Sequence, residues 1–180
     1  MDKALAVKIY ERAGNEPACW RSCAQDLLAA ASVLRQRREK CPPDVTDDLV
    51  GSQWRIHPPE LMLRGMAVEC LLKALWVKRG NRIVKDGEYV GVPGAGSHNL
   101  VQVAGVLQLR LSRPEVDLLR RLTEFIEYGG RYPVPRNAQD LRPIRRPGGG
   151  KAPGTGWFTP GDQLLFDNVI RRLEKALDAV

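Results

Sequence analysis

Few residues in this chain can move protons, stabilise charge or hold a metal, and their spacing limits what they can do. The histidines are His57 and His98, and the cysteines are Cys19, Cys23, Cys41 and Cys70. A structural zinc site needs about four soft ligands at close spacing, and no CxxC pair is present, so neither a metal nor a cofactor is expected. Cys19 and Cys23 fall one turn apart on an expected helix, poor geometry for a disulfide. The thiols are therefore read as free and at least partly buried. Glu69 and Lys73 are four apart in the favourable acid-before-base order, either as a helix ion pair or as polar groups aimed into a cleft between helices. His98 has a structural reading, as a helix cap or a partner of Glu69 or Tyr132. It has a catalytic one only if Arg131 comes within reach in an open cleft. Arg131 can instead anchor its own loop to a helix C-terminus or to Glu69.

The basic residues are unevenly spread. The chain carries a net charge of +7 with a pI near 9.5, which favours a polyanionic partner without specifying one. Over residues 131–159 the cations Arg131, Arg136, Arg142, Arg145, Arg146 and Lys151 face one acid, Asp140. Such a proline- and glycine-rich stretch reads either as a solubilising linker or as an RNA contact whose affinity falls with salt. The acidic group Asp44, Asp47 and Asp48 reads as a solvated loop or helix start rather than a metal site.

The elements that must position these groups are mostly helical. A hydrophobic content of 43% with 27% charged residues over 180 positions suits one soluble domain with a full core. Residues 2–12 form a short amphipathic helix. Pro17 opens a second at a favoured first-turn position, with Trp20, Leu27, Leu28, Ala31 and Leu34 at three- and four-residue steps. Arg35, Arg37, Arg38 and Lys40 close it, as a helix C-terminus favours. A third helix, opened by Pro58-Pro59, is apolar nearly all round and is expected to be central. Arg82 to Lys85, Asp86-Gly87 and Glu88 to Val90 predict a hairpin with a type I′ turn. This hairpin, residues 82–90, must lean on the helices, because two strands alone are marginal.

Ser97 is the expected N-cap of a fourth helix beginning at His98, and the glycines before it read as a linker rather than a phosphate cradle. Ser112 and Pro114 begin a fifth helix running to Tyr128. The long basic loop follows, and Pro160 and Asp162 start the last helix. The fold class expected is all-α: an up-and-down bundle of four to six helices with a small β-hairpin insertion and a long basic loop. The start of the chain lacks the basic residues and apolar run of a secretory signal, and no stretch reaches the roughly 18 apolar residues of a membrane span. A cytoplasmic protein with no membrane association is expected.

In order along the chain, Ala67-Val68-Glu69-Cys70-Leu71-Leu72-Lys73-Ala74-Leu75, then Ser97-His98-Asn99-Leu100, then Ile126-Glu127-Tyr128-Gly129-Gly130-Arg131-Tyr132-Pro133 resemble three signatures of HEPN-type proteins. These are the second core helix, the Gly-His-Asp-Leu opening of the next helix, and an aromatic-Arg-Tyr-Pro turn. The resemblance covers roughly residues 19–135. It implies an up-and-down helical bundle, a homodimer, and a prokaryotic stress, toxin–antitoxin or antiviral defence setting. Many members are metal-independent ribonucleases with an arginine followed four to six residues later by histidine. Here Arg131 is followed by Tyr132, Pro133, Val134, Pro135, Arg136 and Asn137, so that motif is absent.

The favoured expectation is a non-catalytic HEPN-like binding module. Its partner would be RNA, a nucleotide or a protein, held through Glu69, Lys73, His98, Arg131, Tyr132, Arg136, Arg142, Arg145 and Arg146. The alternatives are a ribonuclease with a rearranged His98/Arg131 site, and a purely structural helical oligomerisation protein.

Overall fold

Asp2 accepts a hydrogen bond from the backbone N–H of Ala4 and so caps α1, Lys3–Gly14. The long helix α2, Pro17–Lys40, follows, and then α3, Ser52–Lys78. The computed structural model describes residues 2–40, 52–132, 144–145, 151–152 and 160–179. After α3 come β1, Val84–Lys85, and β2, Glu88–Tyr89; α4, Leu100–Val106; α5, Arg113–Glu124, with a π-helical turn over Phe125–Gly129; β3, Ile144–Arg145, and β4, Lys151–Ala152; and α6, Pro160–Asp178.

Cross-chain contacts give the direction of each helix. Arg38 near the end of α2 meets Glu60 near the start of α3, so the two run antiparallel. Arg21 reaches Glu174 and Asp178 at the end of α6. Arg121 of α5 forks onto Asp162 at the start of α6 at 2.6 and 2.8 Å, and Arg172 pairs with Glu115 at the other end. Thus α2, α3, α5 and α6 form the up-and-down bundle that the apolar periodicity predicts.

Leu61, Val68, Leu71, Leu72 and Leu75 of α3 are buried, together with Leu100, Val103, Leu118, Leu122, Phe166 and Leu173 from the helices around it. This central position answers the nearly all-round apolar sequence of α3. Close approach is built in by small residues. A Cβ added at Gly65 would lie 2.8 Å from Ile126 Cγ1, and one at Gly130 would lie 2.3 Å from Met62 Cβ.

The hairpin follows its predicted turn. Asp86 and Gly87 have φ of 53° and 77°, as a type I′ turn requires, and Val84 pairs with Tyr89. Its support is Asn15, whose side chain accepts from the N–H groups of Ile83 and Val84 at 2.9 and 3.2 Å and donates to the Val84 carbonyl at 2.8 Å. No helix among the described residues is long and apolar enough to cross a membrane.

Several boundaries differ from the sequence expectation. Pro58 and Pro59 lie inside α3 rather than at its start, so His57 is within the helix and buried. Each proline removes one backbone donor from the helix, and its ring crowds the carbonyl four residues before it. The cap of α4 is Asn99, whose side chain accepts from the Gln102 N–H, not Ser97. His98 therefore precedes the helix, with φ of 70°. The α-helical part of α5 ends at Glu124; from there the Gly130 N–H bonds back five residues to the Phe125 carbonyl at 3.0 Å, widening the last turn. Within the long basic loop Ile144–Arg145 pairs antiparallel with Lys151–Ala152, which composition did not indicate. Residues 41–51, with Cys41 and the acidic cluster, lie outside the described residues.

Candidate functional site

Glu69 and Lys73 project from the middle of α3 on the side where α2, the hairpin and the turn before α4 meet. Lys73 Nζ donates to Glu69 Oε1 at 2.5 Å, and both side chains are largely buried. The second carboxylate oxygen, Oε2, faces His98 Nδ1 at 3.0 Å. An ionised carboxylate can only accept, so Nδ1 carries a proton, and in the neutral ring Nε2 is the acceptor. His98 itself is 45% exposed in its side chain, against 7% for Glu69. The site is thus a half-exposed imidazole fixed from behind by a buried carboxylate, which is fixed in turn by a buried ammonium.

The backbone contributes to this placement. His98 takes a left-handed conformation in the turn between Gly96 and the Asn99 cap, and its φ of 70° is uncommon for a non-glycine residue. The cap at Asn99 and the bond from the Leu100 N–H to Thr123 Oγ1 at 3.2 Å fix the start of α4, so the ring is carried on a defined turn.

Lys73 is enclosed by aromatic faces. Its Nζ lies 5.1 Å from the Trp20 ring centroid and 5.3 Å from that of Tyr89, within cation–π range. Trp20 is held by its indole N–H on the Gly14 carbonyl at 2.8 Å, while Tyr89 remains 49% exposed at the rim. Burial alone would raise the Glu69 carboxyl. The charge of Lys73 and the hydrogen bonds from His98 and Lys73 outweigh it and hold the group below its ordinary range. Burial would likewise depress Lys73, but Glu69 and Tyr89 keep it above the usual lysine value. Both groups are therefore charged near neutral pH.

Of the residues singled out from the sequence, Glu69, Lys73 and His98 come together. Arg131 does not join them. Its guanidinium donates to the Ile126 carbonyl at 2.7 Å and the Glu127 carbonyl at 3.1 Å, and it stacks on Tyr132 at 5.5 Å. This turn sits against Met62 through Gly130, and Glu69 is seven residues further along α3, a displacement of about 10 Å at 1.5 Å per residue. Tyr132 is 54% exposed beside Arg131. Arg145 lies in β3, and Arg136, Arg142 and Arg146 lie outside the described residues.

Two participants were not assigned to the site from sequence. Trp20 belongs to an apolar helical stripe, which reads as core, and Tyr89 belongs to a hairpin whose docking direction sequence does not encode. A second polar cluster was also missed. Fully buried Glu60 is held by Arg38 and Arg64, both at 2.9 Å, and Arg64 reaches Gln163 of α6 at 2.6 Å. The spacing Glu60–Arg64 is the only sequence signal for it, and it ties α2, α3 and α6 together. Among the described residues no group of three metal-ligating side chains is found. Comparisons of the chain with protein-family models, curated proteins and solved structures returned no match.

Proposed function

We propose that this chain is a HEPN-like helical binding module that holds single-stranded RNA or a nucleotide at the His98 turn without cleaving it. The observation that carries the reading is the half-exposed His98 ring, oriented by buried Glu69 at a turn with positive φ. Such a ring offers one defined nitrogen to a ligand, and backbone strain of this kind persists where the surroundings over-determine it. The exposed face of Tyr89 supplies a surface on which a base can stack. The net charge of +7 supports association with a polyanion.

The non-catalytic part rests on Arg131. A ribonuclease of the arginine–histidine kind needs a cation at the phosphate beside the imidazole, and Arg131 is engaged with the carbonyls of Ile126 and Glu127. The carboxylate–imidazole pair alone favours proton transfer, so cleavage is the competing outcome of the test.

Fluorescently labelled single-stranded RNA is titrated with the protein, free of added metal, at several salt concentrations, and the RNA is then run on a denaturing gel. Binding that weakens with salt, weakens about tenfold in His98→Ala and Tyr89→Ala (about 1.4 kcal/mol), and leaves the RNA intact is expected. No binding at low salt, or full affinity in both variants, overturns the proposal. RNA cleaved by the wild type and not by His98→Ala replaces it with the ribonuclease reading.

A further inference from the structure

Cys23 of α2 and Cys70 of α3 are 47 positions apart in sequence, yet their sulfurs touch at 3.8 Å across the antiparallel seam. Cys23 is exposed and Cys70 is buried. We propose that these two thiols are a modification site, closing to an intramolecular disulfide when the protein meets a hydroperoxide.

The geometry selects this pair over the others described. A disulfide has sulfurs about 2.05 Å apart, so closure needs an approach of roughly 1.8 Å from the present contact. That is within reach of side-chain rotation with a small shift of α2 on α3. Cys19 is also exposed, but it stands one turn from Cys23 on the same helix, a spacing that holds the Cβ atoms about 5–6 Å apart, beyond the roughly 3.8 Å of a disulfide. The pair therefore combines one thiol that solvent can reach with one that waits in contact behind it.

The chemistry balances in two steps. With hydrogen peroxide, the Cys23 thiolate attacks one peroxide oxygen; an S–O bond forms, the O–O bond breaks, and the departing oxygen leaves as water after taking up a proton (an organic hydroperoxide would release an alcohol instead). Cys23 is then a sulfenic acid. The Cys70 sulfur attacks the Cys23 sulfur, the S–S bond forms, the S–O bond breaks, and hydroxide leaves with the Cys70 proton as a second water. Each sulfur gives up one electron and the peroxide accepts both. The Cys70 thiol is pushed up to about 12 by burial and by its neighbours Cys23 and Glu69, so it enters the second step still protonated. The thiolate is the nucleophile in such an exchange, so loss of that proton must accompany S–S bond formation, which slows the second step.

The position gives the bond a consequence. Cys70 adjoins Glu69 in sequence, and Lys73, one turn further, lies against Trp20, one turn before Cys23 on α2. Pulling α2 toward α3 at Cys23 moves the wall of the Lys73 pocket.

The test uses the intact protein and hydrogen peroxide, with alkylation, intact mass and non-reducing peptide mapping. Wild type is expected to lose two hydrogen atoms, to yield a Cys23–Cys70 linked peptide that a thiol reductant dissolves, and to melt at a higher temperature when oxidised. Dimedone should label Cys23 in Cys70→Ala and label nothing at position 23 in Cys23→Ser, a surface change that leaves the core intact. A link from Cys23 to Cys19 or Cys41, a link between two chains, or Cys23 and Cys70 still fully alkylated when exposed Cys19 has been oxidised would each overturn the proposal. If Cys70→Ala fails to fold, the wild-type peptide map and the Cys23→Ser arm decide it alone.

Discussion

His98 and Glu69, 29 positions apart, meet through a 3.0 Å hydrogen bond whose carboxylate is held on its other oxygen by Lys73 at 2.5 Å. The relationship is asymmetric. The imidazole is near solvent and can be lost cheaply, whereas Glu69 and Lys73 are buried partners of opposite charge.

Removing one member of that buried pair strands the other. Glu69→Ala should cost about 3–5 kcal/mol of unfolding free energy, because Lys73 keeps its charge in a site without a counter-ion. The double variant Glu69→Leu with Lys73→Met should recover much of the loss. Urea unfolding of the three proteins measures this; a double variant as unstable as the single one would show that the pair is not the source.

Glycines at two helix crossings make a contrasting set. Gly65→Ala puts a methyl group 3.0 Å from the Leu122 carbonyl and closer still to Ile126, and Gly130→Ala drives one into Met62. Each should destabilise by about 1–3 kcal/mol through overpacking. Gly105, inside α4 with nothing within 4 Å of an added Cβ, should gain about 0.5–1 kcal/mol as alanine. Thermal melts of the three variants check the order, and a destabilised Gly105→Ala would contradict it.

The pH dependence follows from the buried acids. Burial opposes ionisation at Glu60, Glu69 and Glu115, but their partners win and hold all three below the ordinary range. A carboxyl lowered on folding contributes stability that is complete above its unfolded value of about 4.3 and is lost as pH falls through the folded value. Lys73, raised on folding, contributes fully below about 10.4 and loses its share as pH rises through its folded value. Stability should therefore be level around neutrality and fall at both ends. Urea midpoints against pH should show a shallower acid limb in Glu69→Gln than in wild type; identical limbs would remove Glu69 from the account.

Much of the architecture is already present in local sequence. The three- and four-residue apolar steps of α2, the all-round apolar α3, the Asp86-Gly87 turn and the Ser112 and Pro114 start of α5 are short-range signals. Each depends on residues within a turn or two of one another, and each element appears where those residues are. Near boundaries the same reasoning fails. Pro58-Pro59 carries a strong local preference for a helix start, yet α3 extends ahead of it. His98 takes a left-handed φ that a local reading assigns to glycine or asparagine.

What sequence could determine about the candidate site was its ingredients: an acid–base pair one turn apart on α3, a histidine at the expected start of a short helix, and no histidine in the four to six positions after Arg131. What only the tertiary structure decided was which of them meet. Glu69 and His98 come together because α4 starts beside the middle of α3, while Arg131 is carried about two turns away by the π-helical turn against Met62. Trp20, Tyr89 and the Cys23–Cys70 contact exist only because α2 runs antiparallel to α3 and Asn15 docks the hairpin on α1. Periodicity assigns a residue to a face of its own helix; which face of another helix it meets is set by packing over the whole core.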